Sequence, residues 1–173
     1  MKRSDLTETE RARISASFHE AGHAVAAVLA GGRLTEVKLN ASGDSLGACT
    51  YEGLTTEGDH AVTYAGPWCE ARWTHGPGLQ LADIRSVIRS NPSDGDELAL
   101  AASALPRHTE RDLETCWPAI TTLAKALYFD GTLTHAAVTA ALGLPESGGE
   151  RSMAASMIRA GFAPGTHTST LPA

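Results

Sequence analysis

His19 and His23 stand four residues apart and Glu20 directly follows the first, in the stretch Ser17-Phe18-His19-Glu20-Ala21-Gly22-His23. Residues four apart on an α-helix lie one turn above each other on the same face, so both imidazoles can address a single ion. Zinc takes histidine nitrogens at about 2.0–2.1 Å, and a catalytic zinc site adds a third protein ligand while keeping one position open. Glu20 falls about 100° further round the helix, which suits a general base beside the ion better than a ligand. In such a site the ion acidifies a water, Glu20 takes its proton, and the same carboxylate can hand it to a leaving amine. The competing reading is an exposed polar stripe that binds no metal. Two features favour zinc: the pair sits inside a strong helix pattern, and Ala26, Ala27 and Ala30 continue its face with small residues that let a second helix approach.

Several elements must position these groups. Thr7-Glu8-Thr9-Glu10 is a capping-box pattern, so a helix can begin there. Ile14, Phe18, Val25, Val28 and Leu29 give it a broad apolar face, and Gly31-Gly32 stops it. Two short strands are expected at 35–39 and 46–51, separated by polar and glycine residues as in a hairpin. A helix follows over 59–73, in which Pro67 must kink the chain or mark a new first turn. A shorter helical stretch at 79–89 ends at Asn91-Pro92, and Ser93 can cap another helix that stops before Pro106. One long helix is expected over 111–129, with Pro118 early in it, and a last short one over 133–143. Trp68, Trp73 and Trp117 suit helix packing. The other histidines, His60, His75, His108, His135 and His167, suit the surface. Fold class is therefore mainly α (α+β): a helical domain over 1–145 with a small β-hairpin after the histidine-bearing helix. The Ser/Gly/Thr/Pro-rich stretch 146–173 reads as a flexible tail apart from a turn near 153–158.

Bulk properties narrow the function. At 173 residues, 42% hydrophobic and 20% charged, the chain suits one globular domain with a sizeable core. A net charge of −6 and only three lysines give no basic stripe for nucleic acid. The longest apolar run, 24–30, is far short of a membrane span, and residues 1–16 lack a signal-peptide core, so a cytoplasmic location is expected. Cys49, Cys69 and Cys116 are odd in number and widely spaced, which suits reduced structural thiols rather than a disulfide framework or a cysteine zinc site.

With these residues in view, the sequence resembles the peptidase domain of FtsH-type ATP-dependent zinc metalloproteases. "FHEAGHAVAAVLAGG" looks like that family's active-site helix, and "EVKL…SLGACTYEG" is similar to the strands after it. "YAGPWCEARW" resembles the next helix, and "CWPAITTLAKALYFDGTLTHAAV" the C-terminal ones, so the likeness spans roughly residues 10 to 143. The resemblance implies peptide-bond hydrolysis at zinc (Zn2+), with His19 and His23 as ligands and Glu20 as the catalytic acid/base. It further implies that Leu46, Gly47, Ala48, Cys49, Thr50 and Tyr51 form a substrate-binding edge strand that holds an extended polypeptide by strand addition. That family carries an ATPase module, whereas no lysine here follows a glycine as a Walker A loop requires, so any unfoldase would be a separate ATPase partner.

The resemblance also implies a third ligand, an aspartate at the start of a later helix. Asp83, Asp94 and Asp96 are available. Asp83 best preserves the spacing. Asp94 is preferred, because Leu98, Ala101, Ala102 and Leu105 follow on its face and can pack on the Ala26/Ala30 stripe; Asp96 comes next and Glu97 is less suited. Each aspartate could equally be a helix N-terminal charge with no metal. The expected function is a zinc metalloendopeptidase acting on flexible or unfolded polypeptides. The alternatives are a catalytically weak zinc-binding regulatory or interaction protein on the same fold, and a helical interaction domain without metal.

Overall fold

The computed structural model describes residues 6–40, 46–90, 108–145 and 152–166. Helix α1 spans Glu8–Leu29 and begins at the expected capping box: the Thr7 hydroxyl accepts from the Glu10 amide, and the Glu10 carboxylate accepts from the Thr7 amide at 2.8 Å. Gly31 follows at φ 91°, a left-handed conformation that glycine adopts without a Cβ clash, and turns the chain into β1 (Arg33–Leu39). β2 (Gly47–Glu52) pairs antiparallel with β1, placing Leu39 opposite Gly47 and Val37 opposite Cys49.

Helix α2 (Thr56–His75) is capped by the Thr55 hydroxyl, and α3 (Leu81–Ser90) follows it. Pro67 lies inside α2, which continues through it as one helix. The ring removes one N–H from the ladder, a loss offset here by burial of Tyr64, Ala65, Trp68 and Cys69 around it. The single helix expected over 111–129 is instead two, α4 (Thr109–Thr115) and α5 (Trp117–Asp130). Pro118 explains the break, because it cannot donate to the carbonyl four residues back and suits the first turn of a new helix; Cys116 makes the corner. A two-residue strand, β3 (Thr132–Leu133), pairs with β1, so the expected hairpin is part of a three-stranded antiparallel sheet in the order β2-β1-β3. Helices α6 (His135–Ala141) and α7 (Met153–Arg159) complete the described elements, the latter where one turn was expected. The helix expected after Ser93 lies outside the described residues.

The fold is thus mostly helical with a small sheet, and α1 is its axis. Ala21, Ala24, Val25 and Ala27 of α1 are sealed from solvent. Gly22 brings α1 and α2 together: a Cβ there would sit 2.7 Å from both the Ala65 carbonyl oxygen and Cys69 Sγ, so nothing larger than glycine fits this crossing. On another side Phe18 stacks against Trp73 and Trp117, with ring centroids 5.9 and 5.2 Å away, and Trp68 meets Trp117 edge-on. The three tryptophans therefore serve packing, and the three cysteines are free thiols. Among the described residues, no helix is long and apolar enough to cross a membrane.

Candidate metal centre

The i, i+4 spacing places the two histidine rings one turn apart on α1, with centroids 4.6 Å apart. His19 Nδ1 lies 3.0 Å from Glu70 Oε2, and His23 Nδ1 lies 2.7 Å from the Val62 carbonyl oxygen, both partners belonging to α2. A carboxylate and a carbonyl can only accept, so each Nδ1 carries the proton, and in the neutral ring the lone pair is left on Nε2. Glu70 is itself held, since the Ser15 hydroxyl donates to its other oxygen at 2.9 Å. Metal-binding histidines are usually oriented through the distal ring nitrogen by such carboxylate or carbonyl partners.

Gly66 shows where the Nε2 atoms point. A Cβ at this position would lie 2.4 Å from His23 Nε2 and 2.8 Å from His19 Nε2. Both nitrogens therefore crowd one small space, which the missing side chain keeps open. This is the test of fit for a metal, and the pair passes it: the tautomers are fixed, the donor atoms converge, and α2 leaves a cradle. Burial, aided by neighbouring His19 and opposed by the Val62 hydrogen bond, pulls the His23 pKa down to about 3, so its ring stays neutral near pH 7.

Glu20 projects towards the sheet, buried against β2. Gly47 makes the room: a Cβ there would come within 2.6 Å of Glu20 Cγ and 2.7 Å of its Oε1. Two glycines, one on α2 and one on β2, thus leave space for the two chemical groups of α1. Of the other edge-strand residues, Leu46 is exposed just before β2, and Ala48 is partly buried. Burial, with the Glu20 carboxylate adding to it, raises the Cys49 thiol to about 12, which keeps it protonated and unfit as a nucleophile. Thr50 bonds Thr35 across the hairpin, and the Tyr51 hydroxyl donates to Asp59, tying β2 to α2. β2 is an edge strand of the sheet.

Asp83 caps α3, where its carboxylate accepts from the Gln80 amide at 2.8 Å and lies 3.8 Å from His75 Nδ1. His75 is nine residues beyond Gly66 on α2, about 13 Å at 1.5 Å per residue, so Asp83 serves its helix end and stands away from the histidine pair. Asp94, Asp96 and Glu97 lie outside the described residues, among which no third His, Cys, Asp or Glu joins the pair in a metal-binding cluster. Sequence reasoning missed Glu70 and Gly66. Both sit in the segment "AGPWCE", four residues apart on one face of α2, a spacing that could have marked them as partners of the equally spaced histidines.

The geometry meets an independent likeness. A family described as Peptidase M50B-like matches residues 12–74. That span holds most of α1, the hairpin and nearly all of α2, and with them every group described around the histidine pair. The match points to a metallopeptidase-related family, and it differs from the FtsH-type family that the motif string resembles. It covers the N-terminal part of the chain and leaves α3 to α7 outside. No curated protein matches the chain.

Proposed function

We propose that the protein is a zinc-dependent metalloendopeptidase that hydrolyses peptide bonds in flexible or unfolded polypeptides. One observation carries the reading: two histidine Nε2 atoms, fixed as lone-pair donors by Glu70 and Val62, converge on the space kept open by Gly66. His19 and His23 would hold the ion, and Asp94 is the preferred third ligand. When bound, zinc supplies Lewis acidity, which activates water and polarises a carbonyl at neutral pH. Glu20 is the general base: its carboxylate takes the proton of the attacking water and gives it to the departing amine nitrogen. Its burial against Gly47 keeps the carboxylate beside the edge strand. The strand edge of β2, from Leu46 to Tyr51, would hold the substrate extended through backbone hydrogen bonds, which is why the substrate must be unfolded locally. Folded substrates would need a separate ATPase to open them.

Glu20→Gln separates catalysis from metal binding. The amide keeps the shape but cannot accept the proton, so peptidase activity on a casein-like substrate should fall by about 10²–10⁴-fold with zinc content unchanged. A variant as active as the wild type would remove Glu20 from the mechanism. Because no third ligand is present among the described residues, a catalytically weak zinc-binding regulatory protein is the second reading. Zinc-loaded wild type that cleaves no faster than Glu20→Gln would favour it.

A further inference from the structure

A second feature lies apart from the histidine pair. A cavity of about 360 Å³ opens between the C-terminal half of α1, the start of α2, α4 and α7. This volume falls in the range of small-ligand sites, about 300–1,000 Å³. Its apolar walls are Ala26, Leu29, Ala30, Ala61 and Leu113, mostly small side chains. None of His19, Glu20, His23 or the β2 residues lines it among the described residues.

Asp112 is part of its lining, with only 6% of the residue exposed. Burying a carboxylate is costly unless close donors replace its water. Its donors are distant: Arg111 NH2 lies 3.4 Å away and His108 Nε2 3.7 Å, against the roughly 2.7–2.9 Å of a charge-assisted hydrogen bond. The Arg111 guanidinium is meanwhile engaged by the Arg159 backbone carbonyl. Burial raises the Asp112 pKa, against the pull of His108, Arg111 and Arg159, as expected of an under-solvated carboxylate. Glu57 adds a second carboxylate to the lining, and Arg159 is its one permanent cation among the described residues. The cavity thus pairs an apolar wall with a buried carboxylate whose donors, among the described residues, stand at 3.4 and 3.7 Å.

We propose that this cavity binds a primary ammonium group carried on an aliphatic stem, the ammonium at Asp112 and the methylenes against Ala26, Ala30, Ala61 and Leu113. A compact ammonium carries three donors that can turn to a single carboxylate, whereas a guanidinium presents a fixed planar fork. The same chemistry occurs in a free alkylamine and in a lysine side chain, and the test distinguishes them.

The full chain is titrated with n-butylammonium, 1-butanol, butyrate and N-acetyl-lysine N-methylamide, with affinity read by calorimetry and location by amide chemical-shift changes. Saturable binding of the amine is expected, with shifts centred on α4 and the C-terminal half of α1, and the alcohol at least about tenfold weaker. Butyrate should not bind. Asp112→Asn should weaken the amine by a similar factor and leave the alcohol unchanged. Ala61→Leu should block the cavity while retaining Asp112, so it decides the matter if Asp112→Asn fails to fold. Capped lysine binding as tightly as butylammonium would identify a polypeptide side chain as the ligand; butylammonium alone would identify a free amine. No saturable binding, equal affinity for amine and alcohol, or shifts centred elsewhere would overturn the proposal.

Discussion

Replacing Gly66 by alanine is the most informative substitution at the histidine pair, because it adds one methyl group and removes no ligand. Glycine within a helix is ordinarily less favourable than alanine by about 1 kcal/mol, so the change should stabilise α2 if nothing else touched this position. Here the new Cβ would lie 2.4 Å from His23 Nε2 and 2.8 Å from His19 Nε2. The first is about 1 Å short of ordinary contact. Neither ring can retreat freely, since each Nδ1 is bonded to α2 itself. Overpacking of this kind costs about 1–3 kcal/mol, so the expected result is a net loss of stability where helix propensity alone gives a gain. Moving the two donors should also lower zinc affinity by at least about tenfold, the scale on which disturbance around metal ligands is felt. Urea unfolding in chelator measures the first effect, and competition against a chromophoric chelator the second. Gly58→Ala is the control: its Cβ would meet Ala30 Cβ at 3.3 Å and should change stability by less than about 1 kcal/mol. A Gly66→Ala protein that is more stable than wild type and holds zinc normally would refute the convergence of the two Nε2 atoms on this space.

Other expectations follow from the same groups. Glu70→Gln should leave the fold intact but weaken zinc binding by about 10–100-fold, because the amide no longer holds His19 in its donor tautomer; an unchanged affinity would remove Glu70 from the site. Asp94→Asn should reduce zinc affinity far more than Asp83→Asn, whose effect should be confined to the α3 cap; the reverse order, or a larger effect at Asp96, would overturn the ligand choice. Metal-free protein should lose stability as the pH falls from 6.5 towards 3. The sign follows from His23: its folded pKa of about 3 lies below the unfolded value of 6.5, so the unfolded chain binds the proton first. The loss approaches about 1.4 kcal/mol per pH unit from this group alone, and urea unfolding from pH 7 to 5 should show a shallower slope for His23→Gln.

How much of this was legible in the sequence varies with the range of the interaction. The capping box at Thr7, the histidine spacing and the hairpin are local patterns, and each appears where the sequence put it. β3 is not legible in the sequence because two residues carry no alternation, and its strand character comes from pairing with β1. The break at Cys116 is not visible in the apolar period, which runs straight through it, and Pro118 is equally compatible with the early part of one long helix. Around the metal centre, the ligands were readable but their orientation was not. Glu70, Val62 and Gly66 matter through contacts between α1 and α2, 39 to 51 residues apart in the chain for the two hydrogen bonds. Such partners follow from how two helices cross, which composition and periodicity do not specify.

The central claim is that His19 and His23 hold a zinc ion, and the zinc-to-protein ratio tests it most directly. Wild type, His19→Ala and His23→Ala would be stripped with chelator, reloaded, freed of excess metal and measured by elemental analysis. Wild type should retain one zinc per chain and each variant almost none, since the remaining ligands cannot hold the ion well. Zinc absent from reloaded wild type, or retained in full by either variant, would contradict the account.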